Sequence, residues 1–172
     1  MLKVVLHITL LLIGTAGLSG TLQAQEQATP EEVVQKVKDA AKYLSEAGEA
    51  GLKNFQSKDS EYVWKDTYVV VQNCETEQIA AHPIRPELAG SSFADAPAFG
   101  DLKSGQLGAL LCETGQRPQG GWAEYLFPKP GGKEPSRKLS YSKAVGNTPY
   151  VVLGGIYDDK VTVEELEKII TE

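Results

Sequence analysis

Histidine is scarce in this chain, and motifs for a nucleophile are missing. Of 172 residues only two are histidine, and His7 falls in an apolar run at the N-terminus. His82 alone is left as a potential base beyond that run. Ser91, Ser92, Ser140 and Ser142 lack the glycine pattern of a nucleophile elbow, so no hydrolase constellation is expected. Two cysteines, no C-x-x-C and no clustered histidines give no support to a zinc site or to thiol redox chemistry. The reading is therefore of a protein that is not an enzyme, with no catalytic residue, no metal and no cofactor. Positive charge is also in deficit. Setting aside Lys3, which belongs to the N-terminal run, from the 17 basic side chains against 23 acidic ones moves the formal charge from −6 to −7. That balance disfavours nucleic acid and anionic membrane surfaces as partners.

What is present begins with a leader. M-L-K precedes V-V-L-H-I-T-L-L-L-I-G and a small-residue exit, T-A-G-L-S-G-T-L-Q-A, the pattern of a secretory signal peptide over residues 1–24. Cleavage after Ala24 is expected, although Leu22 is an imperfect match three residues before the bond. An uncleaved anchor is the alternative, but the run is short for a bilayer span. No second apolar segment is long enough to cross a membrane, and no signalling coiled coil follows the last strand. The mature protein, residues 25–172, is expected to be one periplasmic or secreted domain. Cys74 and Cys112 both lie in the exported part, which favours a disulfide contributing roughly 4 kcal/mol in the chain-entropy model. Two buried thiols are the other reading.

Thr29-Pro30-Glu31-Glu32 combines an N-cap, a proline at the first helical position and a capping-box glutamate. Val33, Val37, Ala40, Leu44, Ala47, Gly51 and Phe55 then recur at spacings of three and four, predicting an amphipathic helix from about Glu31 to Asn54. Strands are predicted at Thr67 to Gln72 and Ile79 to His82, joined by a polar turn. The segment 83–120 is rich in proline and glycine, with one short helix near Gly105 to Glu113; its length suggests a lid over a pocket. Three more strands follow, near Trp122 to Phe127, Arg137 to Val145 and Tyr150 to Tyr157. A second capping box at Thr162 and Glu165 opens a terminal helix with Leu166, Ile169 and Ile170 on one face. Helix first, five strands, helix last predicts an α+β domain with an antiparallel sheet.

Four stretches carry a family resemblance: A-A-H-P-I-R-P-E-L-A-G, G-G-W-A-E-Y-L-F-P-K-P-G-G, S-R-K-L-S-Y-S-K-A-V and P-Y-V-V-L-G-G-I-Y-D-D. Together they resemble a single Cache domain, the extracytoplasmic ligand-sensing module of bacterial chemoreceptors, over roughly Glu31 to Asp159. The resemblance implies a long N-terminal helix on a five- to six-stranded antiparallel PAS-like sheet and a short C-terminal helix. It also implies a sensory, ligand-binding role for a small molecule, with short carboxylates or amino-acid-like metabolites the first class to consider. Because this chain ends after its terminal helix, any signal would pass through a partner, such as a membrane-bound signalling protein. An interaction protein of the cell envelope with a Cache-like fold and no ligand is the alternative.

Lys138 is the sharpest candidate residue. Flanked by Leu139, Ser140 and Tyr141, it sets an ammonium beside hydroxyls, which suits a small carboxylate; a solvated strand lysine is the plain alternative. Trp64, His82, Trp122, Tyr125 and Tyr141 complete the candidate pocket, with Tyr62 and Tyr68 as further aromatics for its far wall. Strand periodicity qualifies this set. Lys138 and Tyr141, like Trp122 and Tyr125, stand three apart and fall on opposite faces unless a bulge intervenes. Arg85 offers a bidentate clamp or an ordinary surface charge. Asp158-Asp159 lacks the alternating oxygens of a calcium loop and suits the helix start that follows.

Overall fold

The computed structural model describes residues 26–93 and 105–171; the predicted leader and the middle of the 83–120 segment lie outside them. At the first helix the Thr29 hydroxyl accepts from the Glu32 amide at 3.3 Å, and the Glu32 carboxylate accepts from the Thr29 amide at 2.9 Å. This reciprocal cap starts α1, Pro30–Ala47, which buries Val33, Val37, Ala40 and Leu44. The α-helix stops earlier than the sequence predicts. Gly48, with φ of 60°, ends it, and the chain winds on as a 3-10 helix over Gly48–Phe55. Packing explains glycine within that turn: a Cβ on Gly51 would stand 2.9 Å from the Ala47 Cβ.

Strands β1 (Val63–Trp64) and β2 (Thr67–Tyr68) form a small ribbon. The main sheet contains β3 (Val70–Asn73), β4 (Gln78–Ala81), β5 (Gly121–Pro128), β6 (Pro135–Ala144) and β7 (Tyr150–Ile156). Its order is β4-β3-β7-β6-β5, with every neighbouring pair antiparallel. The last strand of the chain is thus the central one. Every residue of β7 is buried, which explains why Y-V-V-L-G-G-I reads as a continuous apolar run without alternation.

Two apolar clusters lie on opposite faces of this sheet. On one, α1 packs over Val71, Leu139 and Val152, together with Trp122 and Tyr141. On the other, α2 (Gln106–Gly115) supplies Leu107 and Leu111 to a cluster with Val70, Tyr125 and Leu153. A disulfide joins Cys74 to Cys112, closing a separation of 38 residues and tying the β3–β4 turn to α2. The terminal helix α3, Val163–Thr171, opens with the second capping box, in which Thr162 and Glu165 exchange backbone bonds at 2.8 and 3.2 Å. Its Glu167 accepts from the Trp122 amide at 2.9 Å, tying the end of the chain to β5. No helix among the described residues is long and apolar enough to cross a membrane.

Candidate ligand-binding site

Register decides which side chains can meet. β5 and β6 pair without interruption from Gly121↔Ser142 to Pro128↔Pro135, so no bulge rotates one residue against the next. Trp122 stands opposite Tyr141 and Tyr125 opposite Lys138. The first pair faces α1, with ring centroids 5.7 Å apart, and the Tyr141 hydroxyl donates to the Gln119 carbonyl at 2.5 Å. The second pair faces the other way. Of the six candidate pocket residues, His82, Tyr125 and Lys138 therefore share one cavity, while Trp122 and Tyr141 lie in the core beneath the opposite face. Trp64 is half-buried on the β1–β2 ribbon and packs against that same core cluster.

The cavity measures about 600 Å³ and lies between the sheet, the first part of the 83–120 segment and the β5–β6 connection. Lys138 is its buried cation, only 8% exposed. Leu139 pairs with Ile156 on β7, and continuing that register sets Tyr157 beside Lys138, with Tyr125 on the other side. The ammonium meets three aromatic faces, those of Tyr68 and Phe127 at 5.3 Å and of Tyr157 at 5.2 Å. Among the described residues no carboxylate pairs with it. Burial away from water lowers its pKa from 10.5 to about 8, so it is still mostly protonated at neutral pH. Cation–π attraction offsets only part of the desolvation cost of such a charge.

His82 directly follows β4 and is buried against Tyr68, ring to ring at 4.9 Å. Its Nδ1 accepts from the Arg85 amide at 3.1 Å. An acceptor Nδ1 places the ring proton on Nε2, which is then the donor of the neutral imidazole. Burial first, and then the positive charges of Lys138 and Arg85, lower its pKa to about 4. Tyr125 and Ser140 share a buried hydroxyl–hydroxyl bond of 2.9 Å. Burial raises the Tyr125 phenol above its ordinary range, so it stays a neutral donor.

Among the described residues the charged side chains that line the cavity are all basic. Its cations are the buried Lys138 and, toward the rim, Arg85, Lys129 and Lys133; its described lining includes no aspartate or glutamate. Arg85 is paired with Glu87 at 3.3 Å outside the cavity. Lys129 lies over the Tyr157 ring, whose hydroxyl donates to the Pro128 carbonyl at 2.7 Å, so Tyr157 links Lys138 to the β5–β6 connection. The predicted structural use of the acidic pair holds for Asp158, which accepts from the Lys160 and Val161 amides at 2.7 and 2.8 Å ahead of α3. Phe127 and Tyr157 escaped the sequence reading. Period-two spacing places Tyr157 on the face of Leu153, but its approach to Lys138 requires the β6–β7 register.

A buried cation in a cavity on an antiparallel sheet, backed by a long N-terminal helix, makes this an α+β domain with a candidate ligand site. The chain belongs to the single Cache domain 2 family, whose model matches residues 21–170. Three solved structures share the fold. A Cache chemosensory domain studied for carboxylic acid recognition superposes with a TM-score of 0.51 at 23% identity, over 73% of this chain and 86% of that one. A methyl-accepting chemotaxis protein of Vibrio parahaemolyticus RIMD 2210633 matches at 0.53 and 20% identity, over 75% and 83%. The periplasmic sensor domain of a chemotaxis protein matches at 0.53 and 21% identity, over 73% and 88%.

Proposed function

We propose that this protein is an extracytoplasmic small-molecule-binding protein, a sensor or accessory rather than a catalyst, that takes up a small organic carboxylate or similar metabolite in the cavity above Lys138. The observation that carries the reading is the buried ammonium with aromatic neighbours and no carboxylate partner among the described residues. A bound carboxylate would supply the missing counter-charge. His82 Nε2 is a second donor for the same group, and Tyr125 with Ser140 offers hydroxyls nearby. Removal of residues 1–24 on export, and relay of the bound state to a membrane-bound signalling partner, belong to the same proposal.

A charge-assisted hydrogen bond contributes roughly 1.5–3 kcal/mol. Lys138→Ala is therefore expected to weaken carboxylate binding by about ten-fold to a hundred-fold. Calorimetric titration of a carboxylate panel against wild type and mutant checks this. Equal affinities for an acid that binds would remove Lys138 from the site, and no binding by any acid would favour an envelope interaction protein instead.

A further inference from the structure

The same cavity also restricts which carboxylate it can hold. Alongside the polar groups of His82, Ser91 and Ser92, much of its wall is aliphatic or aromatic: Val70, Ile79 and Leu153 from the sheet, Leu88 and Phe93 from the segment beyond β4. Its volume of about 600 Å³ falls mid-range for sites that hold drug-sized molecules, roughly 300–1,000 Å³. An acid of two or three carbons would leave most of that space as water against apolar side chains. Burial of those walls by ligand is worth about four-fold in affinity per methylene.

The charges narrow the class further. Among the described lining residues only Lys138 is a buried cation; Arg85, Lys129 and Lys133 are exposed at the rim, where ion pairs are screened and weak. One carboxylate at depth therefore gains far more than a second one near the mouth. A ligand ammonium fares worse, because the described lining has no acidic side chain to receive it and Lys138 would repel it.

From volume, wall chemistry and the placement of charge we infer that the cavity selects a monoanionic carboxylate with a ring-sized apolar body, and discriminates against two-carbon acids, α-amino acids and amines. This rests on the proposed function, since it assumes a carboxylate at Lys138. The apolar body would lie between the sheet residues Val70, Ile79 and Leu153 and the Leu88 side chain.

The test is calorimetric titration of the intact protein with acetate, 3-phenylpropanoate, phenylalanine and 3-phenylpropylamine. The expected order has 3-phenylpropanoate at least a hundred-fold tighter than acetate. Phenylalanine, which adds only an α-ammonium to that skeleton, is expected to bind at least ten-fold more weakly than 3-phenylpropanoate, and the amine not to bind measurably. Leu88→Ala, at a half-buried position outside both core clusters' buried sets, should weaken 3-phenylpropanoate by about ten-fold and leave acetate unchanged. Acetate binding as tightly as the aryl acid, or phenylalanine matching it, would overturn the size and charge selection while leaving carboxylate recognition intact. If no acid in the set binds, or if 3-phenylpropanoate binds Lys138→Met as well as wild type, the underlying carboxylate reading falls too.

Discussion

The two faces of the main sheet are built from alternate residues of the same strands, yet they do different things. Toward α1, Trp122, Tyr141, Leu139 and Val152 are sealed, with helix side chains filling the space. Toward the cavity, Tyr125, Lys138 and Ser140 stand on the very same strands, with an ammonium and two hydroxyls among apolar walls. The α1 face is a core in which volume sets stability. The cavity face buries a charge, which costs stability, and opens a cavity of about 600 Å³ where the α1 face is packed.

The sharpest way to break that contrast is to open the closed face. Trp122→Ala removes a nearly fully buried indole packed against Tyr141, and the expected loss is about 3–5 kcal/mol. Urea denaturation at pH 7 measures it. A loss below about 1 kcal/mol would mean that the α1 face is no more tightly packed than the cavity.

Acid probes the cavity face next. His82 ordinarily titrates near 6.5 but near 4 in the folded protein. Between those values the unfolded chain binds a proton that the native state refuses, so stability rises with pH across the window and is lost as pH falls through it. Down to about 4.5, where an ordinary glutamate is already half protonated, the share of this loss that belongs to His82 amounts to about 2–3 kcal/mol. His82→Asn keeps an acceptor for the Arg85 amide and should flatten the slope between pH 6.5 and 4.5. A wild-type stability that does not change across that interval would show that His82 protonates without resistance, as a solvent-exposed ring would.

Much of the scaffold was legible because its signals are local. The capping boxes at Thr29 and Thr162 lie within four residues of sequence, and the strands announce themselves by aromatic and β-branched runs between turn residues. The early stop of α1 was half legible in its cluster of small residues; the switch to a 3-10 turn at Gly48 depends on how closely Gly51 approaches Ala47. Periodicity also separated Lys138 from Tyr141 and Trp122 from Tyr125. It could not say which member of each pair faced α1, because that depends on where the helix packs. Nor could it reveal Tyr157 and Phe127 around the ammonium. Those neighbours follow from strand register, Phe127 from the β5–β6 pairing and Tyr157 from the β6–β7 pairing, which no pattern within a single strand encodes.

The smallest expected effect is the most direct measure of what the cavity face gives up. Lys138 has its ordinary pKa of 10.5 in the unfolded chain and about 8 when buried. Below pH 8 both states hold the proton, and the native state carries the full cost of an ammonium away from water. Between 8 and 10.5 the unfolded chain holds the proton that the native state has released, so this group makes stability rise with pH. Methionine matches the length of the stem without the charge. Lys138→Met is therefore expected to be more stable than wild type by about 1–2 kcal/mol at pH 7, with the gap closing as pH is raised from 8 toward 9.5. Parallel urea denaturation of both proteins at pH 7, 8 and 9 gives the comparison. A mutant less stable than wild type at pH 7 would show that the faces of Tyr68, Phe127 and Tyr157 more than compensate the ammonium for its lost water, leaving no electrostatic deficit for a ligand's carboxylate to fill.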